Sequence, residues 1–332
     1  MGESGDSRKL TMVKAINLAL HQEMERDDDV MVLGEDVGVD EGVFRVTEGL
    51  LKKFGEQRVI DTPLAEGAIV GMAIGMAIYG LKPISEIQFS GFAFQAFHQV
   101  ENHAARYRAR TRGRYHIQMV LRMPYGGGVR ALEHHSESEE AYYAHTPGLK
   151  VVIPSGPRNA RALLVAAIRD PDPVVFMEPK ALYHAVKEEV PDETEVMPIG
   201  RAQVAREGRG LTLIAYGAML RVALEVADTL QLEDGVETEV LDLLTISPLD
   251  HEALAASVAK TGRAVIVHEA PRSFGPAAEI ATSIMEGAFL SLEAPIRRVT
   301  AYDVPFPGFA REKANVPDVA RVLDAARETL AY

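Results

Sequence analysis

The chain has no cysteine and no tryptophan among its 332 residues. Disulfides, zinc–thiolate centres, iron–sulfur clusters and cysteine nucleophiles are therefore excluded. Long apolar runs are also missing. The longest, residues 68–81, falls short of the ~20 residues needed to cross a bilayer. Residues 1–8 are polar and small, without the apolar core of a signal peptide, so a cytoplasmic protein is expected. Three phosphate signatures are absent: GxxxxGK(S/T), a strand-associated GxGxxG, and Gly-Asp-Gly followed by Asn-Asn. No pyrophosphate cradle of the chain's own is expected. Positive charge is in deficit, with 35 Lys and Arg against 48 Asp and Glu, a net charge of −13. Such a chain is a poor partner for nucleic acid or an anionic membrane.

What is present is an ordinary globular composition, 47% hydrophobic and 25% charged, at a length suited to about two domains. Apolar runs at residues 30–33, 58–60, 83–87, 117–121, 150–153 and 174–176 read as short buried strands. Segments of helical periodicity lie between most of them. Thr11 reads as a helix cap, with Met12, Ile16, Ala19 and Leu20 on one face, and Thr62-Pro63 as a second cap with proline in the first turn. The acidic segment 184–200 reads as an exposed linker. The alternation then resumes, with strands at 211–215, 238–243, 264–267 and 296–299 and helices at 220–230, 251–259, 276–285 and 317–330. The fold class expected is α/β, two doubly wound domains: residues 8–190, a linker over 191–204, and residues 205–332.

Open parallel sheets bind ligands beyond the carboxyl ends of their strands, so residues there carry the most information. Glu35 and Glu66 are two such carboxylates. Each alone is as well explained as a solvated loop residue or a favourable acid near a helix start. Glu66 could instead trade a proton with a ligand nitrogen. Phe89, Phe92 and Phe94 follow a third strand, where an aromatic can pack in the core or stack on a flat heterocycle. His134 and His135 are adjacent, so their side chains diverge, and no HExxH spacing exists. Proton chemistry suits them better than metal. Gly67, Gly71 and Gly75 form a helical stripe, fitting either tight packing inside the domain or a subunit interface. Alternate arginines from Arg106 to Arg114 would share a face if extended. This is the one argument for an RNA-binding module, and the net charge speaks against it.

Several motifs together resemble the β subunit of the thiamine-diphosphate-dependent 2-oxoacid dehydrogenases, the E1 component of pyruvate and branched-chain complexes. They are Leu33-Gly34-Glu35-Asp36-Val37-Gly38, Gly42-Val43-Phe44-Arg45, Asp61-Thr62-Pro63-Leu64-Ala65-Glu66, Glu86-Ile87-Gln88-Phe89, His135-Ser136 and Pro147-Gly148-Leu149-Lys150-Val151-Val152. The resemblance implies that the first domain binds the aminopyrimidine end of thiamine diphosphate and that the second is of transketolase C-terminal type. It implies that a separate α subunit, in an α2β2 heterotetramer, carries the diphosphate motif and the Mg2+. Glu66 matches the glutamate that bonds the pyrimidine N1′ and exchanges a proton there. Phe92 matches the aromatic beside the pyrimidine, and Glu35 is placed with them at the cofactor. His135 matches the histidine that assists acyl transfer to the lipoyl arm of the E2 acyltransferase. Asp170 and Asp172, with the carbonyls of Met119, Ala167 and Ile168, match a potassium (K+) loop, although members of the family commonly have asparagine where Asp172 stands. Pyruvate is the 2-oxo acid expected. A branched-chain 2-oxo acid, a non-catalytic E2-docking subunit and a split transketolase or deoxyxylulose-type synthase remain as alternatives.

Overall fold

The computed structural model describes residues 7–332. The segment read as lacking a signal peptide lies outside them except for its last two residues. Contact density divides the chain into two units. One comprises the residues up to Tyr125 and Tyr142–Ile199, the other Gly126–Ala141 and Gly200–Tyr332.

The first unit carries strands β1 (Ser7–Thr11), β2 (Val30–Gly34), β3 (Val59–Asp61), β4 (Lys82–Glu86), β5 (Val120–Tyr125), β6 (Lys150–Val152), β7 (Val174–Pro179) and β8 (Lys187–Pro191). Within this unit the main sheet runs β6-β7-β5-β4-β2-β3, with every neighbouring pair parallel. All residues of β2, β5 and β7 are buried, as expected when helices cover both faces of a parallel sheet. The helix Met12–Arg26 begins where expected, with the Thr11 side chain accepting from Lys14 N and Met12, Ile16, Ala19 and Leu20 buried.

Strand order decides where a ligand can enter. From β2 the chain steps to β3 on one side, then crosses back to β4 on the other. The carboxyl ends of β2 and β4 therefore flank a topological switch point. Gly34 and Glu86 are partners in register there. The approach is so close that a Cβ on Gly34 would lie 2.7 Å from the Glu86 carbonyl oxygen.

The second unit carries β9 (Gln203–Arg206), β10 (Leu211–Ala215), β11 (Thr238–Asp242), the short β12 (Thr245–Ser247), β13 (Ala264–Pro271) and β14 (Arg297–Ala301). Its sheet runs β14-β13-β10-β11-β9, parallel except for β9. The helices Met219–Glu233 and Val319–Leu330 pack together, as do His251–Thr261 and Pro276–Ala288. Asp250 and Asp318 cap two of them through Ala253 N and Arg321 N.

Five expectations need correction. The acidic segment 184–200 is not simply an exposed linker, because β8 lies inside it and pairs antiparallel with β1. Likewise the expected linker 191–204 ends within β9. The expected domain over 8–190 is interrupted, since residues 126–141 belong with the second unit, where their hydrogen bonds lie. Thr62-Pro63 does not cap a helix. The Thr62 amide bonds Gly34 O, and the helix starts only at Glu66. The arginine stripe is not extended but passes through a short helix, Tyr107–Arg110, with Arg106 paired to Glu101 and Arg108 to Asp172. Among the described residues no helix is long and apolar enough to cross a membrane.

Candidate active site

Glu35, Glu66 and Phe92 lie in the first unit, around its switch point, and His135 lies in the second. Glu66 opens the helix Glu66–Tyr79, directly after β3 and its short connection. The free N–H groups of a first turn favour a carboxylate at that place. Yet Glu66 is only 5% exposed, and its Oε2 is buried with no hydrogen-bond partner among the described residues. Thr62 Oγ1, a little upstream, is in the same condition. An unsatisfied buried carboxylate oxygen is costly, so an acceptor with no partner among the described residues is suited to a donor from a bound group.

Glu35 stands at the end of β2, and burial raises its pKa, helped by the charges of Asp36 and Glu66. The two predicted carboxylates are thus near enough to repel one another. The loop that holds Glu35 is fixed from several sides. Asp61 Oδ1 accepts from Gly38 N at 2.6 Å and Oδ2 from Val39 N at 2.9 Å. Gln88 Nε2 donates to Asp36 Oδ2 at 3.0 Å. Phe92 ends a single 3-10 turn, Ser90–Phe92, after β4. It is half-buried and meets Phe89 edge-on at 5.6 Å. Phe89 meets Phe44, and Phe44 meets Tyr183, in a continuous aromatic row.

Of the glycine stripe, Gly67 is explained inside the chain. A Cβ there would come within 3.2 Å of Gln95 O, so the helix meets the Phe94–Gln99 helix at backbone distance. Gly75 faces open space.

A buried charge cluster escaped the sequence reading. Arg122, in β5, donates from Nε and Nη2 to both oxygens of Glu178 at 2.7 and 3.0 Å, and from Nη1 to Glu86 Oε2 at 2.6 Å. Tyr183 donates its hydroxyl to Glu178 Oε2 at 2.6 Å. Burial raises the pKa of Glu86, the Arg122 charge opposes this, and Glu178 adds to it. The available signal was charged residues inside strands that are otherwise apolar.

The predicted potassium ligands are all engaged within the chain. Both oxygens of Asp170 accept from Lys150 Nζ at 2.6 Å, and Asp172 Oδ1 accepts from Arg108 Nε at 2.5 Å. The carbonyls of Met119, Ala167 and Ile168 accept from Val174 N, Asp170 N and Gln118 Nε2. Two cationic side chains thus balance the two carboxylates. Each of the three carbonyls keeps a second lone pair, so the carboxylates rather than the carbonyls are the groups already neutralised. Among the described residues no group of three or more His, Asp or Glu side chains is disposed to hold a metal.

His135 ends the 3-10 turn Glu133–His135, half-buried, with its N–H on Leu132 O. His134 is exposed, with its Nδ1 3.7 Å from Glu137 Oε2. Just beyond, Glu140 is fully buried. Its Oε1 accepts from the Tyr216 hydroxyl at 2.7 Å, and its Oε2 has no partner among the described residues. Burial pushes its pKa up to about 7 from the ordinary 4.5, with the Tyr216 bond opposing and the Glu269 charge assisting. The folded chain therefore holds this proton more tightly than the unfolded chain. The stability it contributes is full below pH 4.5 and falls as pH rises to about 7, where the loss levels off. The loss is about 3 kcal/mol by linkage. Glu140→Gln should flatten that slope while keeping the Tyr216 bond. Thermal unfolding between pH 5 and pH 8 reads it, and an unchanged slope in the variant would refute the assignment.

Comparison with known proteins places the whole chain. Residues 8–185 match the transketolase pyrimidine binding domain and residues 200–322 the transketolase C-terminal domain. A solved split-gene transketolase, described as an inactive β4 tetramer, superposes with a TM-score of 0.79 at 23% identity, covering 98% of this chain and 99% of that one. That likeness defines the fold, a pair of transketolase-type domains. The pyruvate dehydrogenase E1 component subunit beta of Acholeplasma laidlawii is 51% identical over 94% of this chain and 95% of its own length. The subunits so named from Staphylococcus epidermidis RP62A and Bacillus subtilis are 49% and 48% identical, each over 98% of this chain and 99% of their own. The chain belongs to the family of pyruvate dehydrogenase E1 component β subunits.

Proposed function

We propose that this chain is the β half of a thiamine-diphosphate-dependent E1 enzyme that decarboxylates pyruvate and passes the acyl group to the lipoyl arm of an E2 acyltransferase. The observation that carries the reading is the buried, unpartnered Oε2 of Glu66 beside the sheet's switch point. Thiamine diphosphate, when bound, supplies an electron sink for the carbon that loses carbon dioxide. Glu66 holds and moves a proton at Oε2 against a ring nitrogen. Glu35, whose pKa is raised by burial first and by the Asp36 and Glu66 charges after it, holds its proton more readily than an ordinary carboxylate. Phe92, backed by Phe89, offers an aromatic wall to a flat ring. His135 is assigned to proton movement during acyl transfer.

The sequence has no Gly-Asp-Gly…Asn-Asn motif, so an α-type partner is assigned the diphosphate and Mg2+ in an α2β2 assembly. An acidic chain of net charge −13 also suits a basic docking segment on E2. Coexpression with an α-type chain tests the proposal. Decarboxylation should appear only with both chains, and pyruvate should be preferred over 3-methyl-2-oxobutanoate. Full activity of the isolated chain, or preference for the branched substrate, would overturn it. In that assembly His135→Ala should cut lipoyl acylation by about 10²-fold or more, and oxidant-coupled decarboxylation far less. Equal losses would mean a general positioning role.

A further inference from the structure

The loop that leads from β5 to His135 is held by two buried carboxylates. Gly126 N donates to Glu137 O at 2.9 Å, which ties the two ends of the loop together. Between these ends, Gly127 N donates to Glu269 Oε2 at 2.9 Å. Gly128 N donates to Glu312 Oε1 and Arg130 N to Glu312 Oε2, both at 2.9 Å. Glu269 is 7% exposed and Glu312 3%. Glu269 lies in β13 and Glu312 opens the short helix Glu312–Asn315, so both belong to the same unit as the loop.

The loop backbone is demanding. Gly126, Gly128 and the non-glycine Arg130 all have positive φ, at 80°, 93° and 56°. A Cβ on Gly126 would come within 3.0 Å of Glu269 Oε2, and one on Gly127 within 3.0 Å of the Phe306 ring. Positive φ costs the two glycines little, but Arg130 is strained there, and such a residue persists only where its surroundings impose it. Charge-assisted bonds from carboxylates to backbone N–H groups are strong enough to do so. The family resemblance assigns neither glutamate a role.

We infer that Glu312 and Glu269 are positioning residues. They clamp the amides of residues 127–130 and so fix the turn that presents His135 for acyl transfer. The inference rests on the reading of His135 given above. It adds that the histidine is placed by carboxylates far away in sequence.

The test uses the assembled αβ enzyme and two readouts. The first is amide hydrogen exchange across residues 126–136. Glu312→Ala should speed exchange of the Gly128 and Arg130 amides at least about tenfold, because both lose their acceptor. Glu312→Gln keeps one acceptor oxygen and should release only one of the two, so it serves if the alanine variant does not fold. The second readout compares lipoyl acylation with oxidant-coupled decarboxylation. Glu312→Ala should lower kcat for acylation about tenfold or more and leave decarboxylation within about twofold. Unchanged exchange in both variants would overturn the clamp. Faster exchange with unchanged acylation would overturn the positioning role. If His135→Ala leaves acylation intact, the histidine reading fails, and the exchange measurement still decides the clamp by itself.

Discussion

Replacing Glu66 by alanine or glutamine should lower the decarboxylation rate of the assembled enzyme by about 10²–10⁴-fold, the range lost with a positioned acid–base group. Assembly and thermal stability should change little. Oε2 makes no hydrogen bond among the described residues, so the fold loses none when it goes. Removing a buried unsatisfied oxygen could even stabilise the isolated chain, since its desolvation is uncompensated. A structural acid at a helix start would behave in the opposite way, costing stability and sparing activity. Glutamine separates the two cases further, because it retains the shape and an acceptor but cannot hand over a proton. The check is a parallel measurement of turnover and unfolding temperature. A variant that turns over near the native rate would remove Glu66 from the chemistry.

Arg122→Met should have the largest effect on stability, a loss of about 3–5 kcal/mol, the usual result of breaking a buried ion pair from one side. Glu178 is fully buried and Glu86 6% exposed, and both depend on the one guanidinium. Without it two carboxylates and the Tyr183 hydroxyl face one another in the interior. The loss should shrink as pH falls, because the Glu86 pKa is already raised in the native chain and a proton there relieves the repulsion. The register pairs Glu86 with both Arg122 and Gly34, so the cluster lies directly beneath the switch point. Its loss should also loosen the carboxyl ends of β2 and β4. Denaturant unfolding at pH 5.5 and pH 8 measures this, and equal stability of variant and native chain at pH 8 would contradict it.

Much of the first unit could be read from sequence because strands buried on both faces leave continuous apolar runs, as at residues 30–33 and 174–176. Thr11 was legible because a capping side chain is a local signal. β8 was not legible, since its Lys-Glu-Glu start pairs only with β1 and is exposed, so neither alternation nor an apolar run marks it. Nor could residues 126–141 be assigned to the second unit. Several of their ties are backbone amides, which carry no side-chain signature, bonded to glutamates more than 140 positions away. Glu66, Glu35 and Phe92 were readable as strand-end residues, but the sequence could not show that one oxygen of Glu66 is left without a partner. The charge cluster was missed because Arg122 and Glu178 each look like an isolated oddity until the strand pairing brings them together.

The central claim is that Glu66 moves a proton on the cofactor's ring system. Its most direct measurement is the rate at which the assembled enzyme, loaded with thiamine diphosphate and given no substrate, exchanges the thiazolium C2 proton for deuterium. The native enzyme should exchange it far faster than free cofactor, and Glu66→Gln should return the rate close to that of free cofactor. Equal, fast exchange in native and variant enzymes would contradict the account.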